Sequence, residues 1–387
     1  MSNTNRRGFI TGLLTISSVS QSNYMGPSGQ AKKNRNVGVQ YVDPADGYQG
    51  LLDALETVGD APGTVIIGPG SIDDIDGNVT IPANTWLRGQ GMYSTVLAFS
   101  SDADLDLAGM IRVEDDNVVV SDLALDGNRE DLINTGQEYG FYTSGARHVA
   151  VERVYAHDFP GYGFDPHADG PNPSRQISIT NCVAERNGLD GFTFAAVEDG
   201  TLSNNTSIGN DRHGFNATDE EGVSITMTNN VSRGNGSAGA VVQNQADNVT
   251  ITGNLLAEND GDGVRVGNGD DTSKYVTVSS NIIRDNAGYG LSLRASDSVN
   301  ISNNQFTENN RQKRSSAEIA TTADGPWAHD IVITGNQLHA RSDTKYGVDE
   351  RDGNGPCLIS NNLVRGADSS SIRTSNPESI TNSNLKI

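Results

Sequence analysis

The hexapeptide at residues 162–167 reads Tyr-Gly-Phe-Asp-Pro-His and brings a phenol, a carboxylate and an imidazole close together. Its polar members, Tyr162, Asp165 and His167, are of the types that donate and accept protons in enzymes. In an extended strand, alternate side chains share a face, so Asp165 and His167 would project on the same side. Such a ribbon suits the removal and return of a carbon-bound proton, and the competing interpretation is an ordinary solvated strand face.

The residues that follow repeat with a period of about two dozen, which indicates how the hexapeptide is held. The pattern Asn-x-x-x-Gly recurs in steps of 23, 25, 24 and 27 residues, beginning at Asn187, Asn210, Asn235, Asn259 and Asn286. Short β-branched strands lie between these Asn and Gly corners, and no segment of the repeat has a helical period. The predicted fold is all-β, a single-stranded right-handed parallel β-helix, or solenoid.

The beginning of the chain differs from the repeat. Residues 44–58 form the one convincing amphipathic helix, and we expect this N-terminal capping helix to cover the open end of the solenoid. Residues 1–36 carry paired arginines and a short apolar run, which predict a twin-arginine-type signal and linker. The β-helix domain is then predicted to span residues 37–387, with projecting loops at 309–316 and 342–354.

The composition restricts the partners. The net charge is −22, the pI is about 4.5 and only six residues are lysine. This acidic surface is typical of halophilic proteins and disfavours nucleic acid, which needs basic surface. No apolar run is long enough to span a membrane, so the expected location is extracellular after twin-arginine export. The two cysteines, Cys182 and Cys357, are expected to be buried and free.

Aligning the glycine that opens each strand places side chains in columns that run from turn to turn. The residues after these glycines should form an inward aromatic ladder of Phe141, Phe164, Phe192 and Phe215. The outward columns, with the column before the glycines, should form a polar groove that advances about 5 Å per turn. Its candidate substrate-binding residues are Tyr139, Tyr142, Asp190, His213, Asn216, Arg265 and Arg294, with Arg212 beside them.

The pitch of this groove approximates the advance of an extended sugar chain. Aromatic, carboxylate and arginine side chains on one face therefore predict an anionic polysaccharide as the partner. Alternative roles remain open for several of these residues. Asp190 could serve only to cap a turn, Tyr139 and Tyr142 only to pack, and Arg265 or Arg294 alone only as solvated surface.

Several motifs together resemble the catalytic module of mannuronan (alginate) C5-epimerases. They are YGFDPH at 162, NGLDGF at 187, NDRHGFN at 210, MTNN at 227 and GNGS at 234, and the similarity covers roughly residues 40–365. The resemblance implies a β-helix that converts β-D-mannuronate to α-L-guluronate within a polymer. It makes Tyr162, Asp165 and His167 catalytic, and Arg212 with His213 a pair that contacts substrate.

The resemblance also implies a mechanism. Arg212 would mask the uronate carboxylate, Asp165 would hold that carboxylate or orient His167, and His167 and Tyr162 would remove and return the C5 proton. Gln137, a further candidate substrate-binding residue, stands where the family usually carries a lysine, and Ala195 stands where an acidic residue is often found.

Other activities remain open from the sequence. A lyase would use the same residues and expel the O4 substituent, a hydrolase would pair Asp165 with Asp190, and a polysaccharide-binding protein would not turn substrate over. No cofactor is expected to be required. Calcium is an alternative to plain solvation in acidic loops such as residues 268–271.

Overall fold

The computed structural model of the protein describes residues 38–105, 107–132, 136, 138–219, 222–268, 271–313, 316–321, 328–351 and 354–387. The predicted signal and linker, and Gln137, lie outside these residues. Within them, the chain forms three sheets, of 26, 12 and two strands, and their strands pair in parallel. Each strand pairs with the equivalent strand about one repeat later, which is the arrangement predicted for a solenoid.

The 12-stranded sheet carries the hexapeptide. Its strands are Val79–Thr80, Ile111–Val113, Phe141–Ser144, Phe164–His167, Phe192–Ala195, Phe215–Thr218, Ala240–Val242, Val264–Val266, Leu291–Leu293, Ala317–Thr321, Tyr346–Glu350 and Ser370–Arg373. We call it the site sheet.

The 26-stranded sheet, which we call the long sheet, forms the other walls. Its strands are Val39–Val42, Gly63–Ile67, Gly70–Ile75, Thr85–Arg88, Thr95–Phe99, Val119–Asp126, Arg147–His157, Ser174–Thr180, Val183–Glu185, Val197–Glu198, Thr201–Ser203, Thr206–Ile208, Thr226–Thr228, Val231–Arg233, Thr250–Thr252, Leu255–Ala257, Thr277–Ser279, Ile282–Arg284, Asn300–Ser302, Gln305–Thr307, Ile331–Thr334, Gln337–His339, Cys357–Ser360, Leu363–Arg365, Ile380–Asn382 and Leu385–Lys386. Ser273–Lys274 and Ser296–Asp297 form the two-stranded sheet.

The helix predicted at 44–58 is confirmed. It consists of a 3₁₀ turn, Pro44–Asp46, followed by the α-helix Gly47–Val58. Its apolar face buries Leu51 and Leu55 in the same core as the first strands. It therefore covers apolar side chains that the first turn would otherwise expose. No helix among the described residues is long and apolar enough to cross a membrane.

The predicted aromatic ladder lies inside the solenoid. Phe164 and Phe192 stack with ring centroids 4.8 Å apart, and Phe192 stacks on Phe215 at 5.0 Å. Phe141 is tilted against Phe164 at 6.4 Å. All four rings are buried. Because this ladder fixes which residues point inward, it also fixes the outward positions that carry the candidate site.

Buried asparagines form hydrogen-bonded ladders along the solenoid. In the Asn-x-x-x-Gly motifs, Asn187 donates to Asn210 at 2.9 Å and Asn210 donates to Asn235 at 3.0 Å. The ladder continues through later turns until Asn309 donates to the carboxyl group of Glu318 at 2.7 Å. Each buried amide thus has a partner on the next turn, which locks the register of the coil.

Two details differ from the sequence predictions. Residues 342–354, predicted as a projecting loop, contain the strand Tyr346–Glu350 of the site sheet, with buried Asp349 and Glu350. The acidic residues of this segment predict an exposed loop. They are buried in a strand instead, because their carboxylates have hydrogen-bond and ion-pair partners. A second hydrogen-bonded ladder of buried asparagines lies outside the Asn-x-x-x-Gly motifs and includes Asn230 and Asn304, each preceded by an asparagine with a left-handed backbone, Asn229 and Asn303. The cysteines are buried and free, as predicted.

Candidate active site

The register of the site sheet confirms the predicted columns. Asp165 pairs with Tyr142 on the preceding turn, and His167 pairs with Ser144. Further along the sheet, Thr193 pairs with Asn216. Val241 then connects Asn216 to Arg265, which therefore lies on the Asp165 column. Residues far apart in sequence become lateral neighbours because each turn returns the chain to the same sheet.

These columns border an open cleft of about 330 Å³. We call it the cleft, and its walls are formed by Ala108, Tyr139, Tyr142, Tyr162, Asp165, His167, Thr193, Ala195, Arg212, Asn216, Thr218, Asp219, Gln243 and Asn244. The structure thus brings together the four residues predicted to be catalytic, and three of the predicted binding residues, Tyr139, Tyr142 and Asn216.

Arg212 joins Tyr162 to a buried aspartate. Its Nη2 donates to the Tyr162 hydroxyl at 2.9 Å, and its guanidinium lies 5.1 Å from the centre of that ring. The same guanidinium makes a two-pronged contact with Asp190, through Nε at 2.6 Å and Nη2 at 2.7 Å. Arg212 is therefore already paired, which argues against the paired contact with a substrate carboxylate predicted for it.

Asp190 lies beneath the cleft and has no exposed surface. Besides Arg212, it accepts hydrogen bonds from the Thr193 hydroxyl, the His213 backbone N–H and the Asn216 side chain. Burial favours its neutral form, but hydrogen bonds from Arg212 and nearby positive charge hold the pKa of Asp190 below its usual value. These contacts fit the alternative in which Asp190 caps a turn and orients the cleft, and its role in substrate binding stays a prediction.

Asp165 is nearly buried, and its Oδ1 has no hydrogen-bond partner among the described residues. Burial, and next the negative charge of Asp190, raise the pKa of Asp165 well above its usual value. This shift favours the protonated carboxylic acid, which can donate one hydrogen bond into the cleft.

His167 is oriented by its own backbone and by a tyrosine. Its Nδ1 lies 3.2 Å from the carbonyl oxygen of Ala168, so Nδ1 carries the donated hydrogen. The lone pair of a neutral ring then resides on Nε2. Tyr142 stacks on the imidazole with centroids 5.8 Å apart. These contacts present a proton-accepting nitrogen without a competing carboxylate contact among the described residues.

Tyr139 and Tyr142 both pack and line the cleft. Tyr139 meets the Tyr162 ring edge-on, with centroids 4.9 Å apart.

Burial raises the pKa of Tyr162, and Arg212 opposes that shift, so the phenol remains protonated at neutral pH. Tyr162 thus has the state of a proton donor.

His213 and Arg265 lie beside the cleft rather than in its lining. His213 is only 5% exposed, and burial lowers its pKa to about 4. Its Nδ1 accepts the Ala238 backbone N–H at 3.1 Å. The burial and hydrogen bond of His213 favour a structural role, and its contact with substrate stays a prediction. Arg265 donates to Gln243 at 3.2 Å, and its partly buried guanidinium has no ion-pair partner among the described residues.

The remaining predicted binding residue, Arg294, lies farther along the solenoid and outside the cleft lining. It follows Leu293, which pairs with Val266, so it continues the His167 column as predicted.

Sequence reasoning missed several side chains of the cleft: Asp219, Gln243 and Asn244. Gln243 follows Val242 on the His167 column, and extending the glycine alignment by one more turn would have found it. Arg112 was also missed, although its pairing with Tyr142 places it on the Asp165 column. Its guanidinium lies 5.0 Å from the centre of the Tyr142 ring and supports that wall.

Among the described residues, one group of metal-ligating types has its ligand atoms within 4.8 Å of one another: Asp126, His157 and Asp158. Asp158 already binds Arg186 through both oxygens and contacts His157 Nδ1 at 2.7 Å. Because Ca²⁺ prefers free oxygen ligands, this group does not fit calcium. The loop at 268–271, named above for calcium, lies only partly within the described residues.

Comparison with known proteins identifies the architecture. The family described as a right handed beta helix region matches residues 109–274, 172–324 and 220–387. The chain belongs to the right-handed β-helix family. The A-modules of the Azotobacter vinelandii mannuronan C-5 epimerases AlgE6 and AlgE4 share this β-helix, at 26% and 27% identity. They superpose with TM-scores of 0.77 and 0.78 over 89% and 88% of this chain, and 99% and 100% of each module.

Named relatives agree with these structures. Mannuronan C5-epimerase AlgE5 of Azotobacter vinelandii is 32% identical over 379 residues, which is 86% of this chain and 35% of AlgE5. Alginate lyase 7 of the same organism is 34% identical over 192 residues, 45% of this chain and 22% of that lyase. The chain thus spans about a third or less of these relatives. The resemblance of this β-helix to mannuronan C5-epimerase catalytic modules is confirmed.

Proposed function

We propose that this β-helix is an enzyme that acts on an alginate-like polyuronate and inverts C5 of mannuronate residues within the chain. One observation supports this most: a phenol, an imidazole and a buried carboxyl group, those of Tyr162, His167 and Asp165, line the same cleft. The similarity to epimerase A-modules at 26–27% identity supports the same chemistry. The cleft is open, so a polymer can lie across it without a free end.

The first requirement of the reaction is to mask the uronate carboxylate, because its charge opposes removal of the C5 proton. In this proposal, Asp165 donates its proton in a hydrogen bond to one carboxylate oxygen. Arg212 is committed to Asp190, so it acts on Tyr162 rather than on the substrate. This differs from the mechanism expected from sequence, in which Arg212 did the masking.

The proton transfer uses the other two groups. Nε2 of His167 takes the C5 proton, and the electron pair of the broken C–H bond moves into the carboxylate group. Tyr162 then gives its hydroxyl proton to C5 from the opposite face, which inverts the centre. The Arg212 hydrogen bond stabilises the phenolate that remains. Proton exchange with water returns both side chains to their starting states.

A second candidate activity is polyuronate lyase, favoured by the match to Alginate lyase 7. The first step is the same, but the electron pair then forms a C4–C5 double bond and expels the O4 substituent, which takes the Tyr162 proton. Hydrolysis by Asp165 and Asp190 is disfavoured, because every oxygen of Asp190 is occupied by donors. A binding protein without turnover would use the same groove.

The test is incubation of the purified chain with polymannuronate in ²H₂O. Epimerisation predicts guluronate signals in the NMR spectrum, deuterium at C5 and unchanged chain length. Elimination predicts ultraviolet absorbance from the conjugated double bond and shorter chains. Binding with neither product would leave a non-catalytic polysaccharide-binding protein, and no binding would contradict the proposal.

Location and salt tolerance belong to the same proposal. The paired arginines near the N-terminus support export by the twin-arginine route, and the net charge of −22 supports function in high salt. Fusing residues 1–36 to a reporter, with Arg6 and Arg7 changed to lysine as the control, tests export.

Running the polymannuronate assay across salt concentration tests whether the protein functions in high salt. Calcium dependence is tested in the same assay by adding a chelator.

A further inference from the structure

A second hexapeptide on the site sheet repeats the pattern of the first. Residues 289–294 read Tyr-Gly-Leu-Ser-Leu-Arg, against Tyr-Gly-Phe-Asp-Pro-His at 162–167. The strand pairings connect Phe164 to Leu291 through five steps of the ladder. Tyr289 therefore occupies the Tyr162 column, Ser292 the Asp165 column and Arg294 the His167 column. The two segments lie on one face, about 24 Å apart at the spacing of paired strands.

The second tyrosine also accepts a hydrogen bond from an arginine that lies near a buried aspartate, although this arginine and aspartate are farther apart than in the cleft. Arg351, two turns later, donates from Nη2 to the Tyr289 hydroxyl at 2.6 Å and lies 5.9 Å from the ring centre. Its Nε is 3.6 Å from Asp349, which is fully buried. The Ser316 hydroxyl donates to that carboxylate at 2.5 Å, as Thr193 donates to Asp190 in the cleft. We call Tyr289, Ser292, Arg294, Asp349 and Arg351 the distal cluster.

The distal cluster differs from the cleft in the two groups that move protons. Ser292 replaces the neutral acid Asp165, and Arg294 replaces the imidazole of His167. An arginine stays protonated in proteins and cannot accept a proton from carbon. Arg294 forms no ion pair with any residue that the structure describes, and its Nε lacks a hydrogen-bond partner there. The cluster thus keeps a binding arrangement and lacks an acid–base pair.

We infer that the distal cluster is a second uronate-binding site, which holds the polymer about five sugar residues from the one undergoing reaction. This rests on the proposed function of the cleft. Carboxylate groups of a uronate chain are the chemical partner that a planar guanidinium recognises best. Asp349 also pairs with Arg373 at 2.5 Å, so Arg351, Arg373 and Asp349 together carry a net positive charge. Arg294 adds another positive charge, and Asp262, which accepts from the Ser292 hydroxyl and the Tyr289 backbone N–H, adds a negative one, so the cluster keeps a net positive charge in a strongly acidic protein.

The test compares long and short substrates in a Tyr162→Phe chain, which prevents turnover during binding. A mannuronate trimer fills only the cleft, whereas polymannuronate reaches the distal cluster as well. Arg294→Gln and Arg351→Gln should each weaken polymannuronate binding about tenfold in isothermal calorimetry at low salt. Trimer binding should not change. Tyr289→Phe should have the same selectivity with a smaller effect.

The matched control is Arg365→Gln. Arg365 is exposed at the end of Leu363–Arg365 in the long sheet, and it forms no ion pair with a described residue. This variant loses the same charge away from the site sheet and should bind both substrates normally. Equal weakening for trimer and polymer, or an equal effect of Arg365→Gln, would overturn the distal site alone. Failure of the unmodified chain to bind polymannuronate would overturn the proposed function as well.

Discussion

The cleft and the distal cluster use one supporting arrangement with different outward side chains. In each, an arginine donates to a tyrosine hydroxyl and is itself held by a fully buried aspartate. The members are Tyr162, Arg212 and Asp190 in the cleft, and Tyr289, Arg351 and Asp349 in the distal cluster. Only the cleft adds a neutral carboxyl group and an imidazole. The scaffold therefore supplies binding, and two positions of one strand decide whether chemistry follows.

The largest effect should come from removing the proton-transfer groups of the cleft. Tyr162→Phe and His167→Ala should each lower kcat on polymannuronate about 10³-fold, because each deletes one partner of an acid–base pair. The equivalent changes in the distal cluster, Tyr289→Phe and Arg294→Ala, should leave kcat on a trimer unchanged. NMR of guluronate formation measures both. Activity that survives in both cleft variants would remove the distinction between the two regions.

The two buried aspartates allow a direct comparison of stability. Asp190→Asn should lower the free energy of unfolding by about 3 kcal/mol, because it removes the charge that pairs with Arg212 and replaces one acceptor oxygen by an amide that faces other donors. Asp349→Asn should cost less, about 1–2 kcal/mol, since its carboxylate accepts fewer hydrogen bonds, from Ser316 and Arg373. Urea unfolding measures the shifts in midpoint.

The functional consequences of these two variants should diverge. Asp190→Asn should also abolish trimer turnover, because Arg212 loses the partner that aims it at Tyr162. Asp349→Asn should preserve that turnover. Loss of trimer turnover in Asp349→Asn would show that the distal cluster supports the catalytic fold and not binding alone.

The architecture could be predicted because the period of the repeat and the position of its glycines determine which residues pair between turns. In the turns around the hexapeptide, a glycine precedes the strand and the phenylalanine that follows this glycine points inward. The alternation of side chains along the strand then places Tyr142, Asp165 and Asn216 outward. The capping helix was predictable from its apolar period. These features depend on local pattern and on a constant spacing, both of which the sequence contains.

The partners of the charged side chains could not be predicted in the same way. Arg212 was assigned to the substrate, but its geometry commits it to Asp190, which lies a full turn away. From sequence, the acidic residues of the strand Tyr346–Glu350 predict a surface loop. Only the structure shows that partners such as Ser316 and Arg373 allow Asp349 to be buried. Such pairings depend on side-chain rotation and on loop paths, which spacing alone does not encode.

A buried acid in the distal half gives a test of pH dependence. Glu318 ends the asparagine ladder, accepts from Asn309 and has one oxygen without a described partner. Burial raises its pKa to about 8 from the ordinary 4.5. Because the folded protein then resists ionisation of this group, stability present below pH 4.5 is lost as the pH rises toward 8. Glu318→Gln should remove this loss, worth about 4 kcal/mol, in unfolding measured at pH 4.5 and 8.

The Glu318 experiment also tests whether burial raises the pKa of Asp165, the corresponding buried acid in the cleft. If Glu318→Gln shows the same pH dependence as the unmodified chain, a buried acid with a free oxygen is not a sufficient sign of a raised pKa in this protein. The masking role proposed for Asp165 would then need independent support.

The smallest effect expected is that of Asp165→Asn, since the amide still donates a hydrogen bond to the substrate carboxylate. We expect kcat to fall about tenfold, the loss of one charge-assisted contact.

In the unmodified chain, activity should decline as the pH rises through the raised pKa of Asp165, because the ionised group repels the uronate. In Asp165→Asn this decline should disappear. Asp165→Leu, which has no donor, should be far less active at every pH. Parallel pH profiles for the unmodified chain and Asp165→Asn would mean that Asp165 does not mask the substrate charge, and the cleft would then resemble the distal cluster in relying on arginine alone.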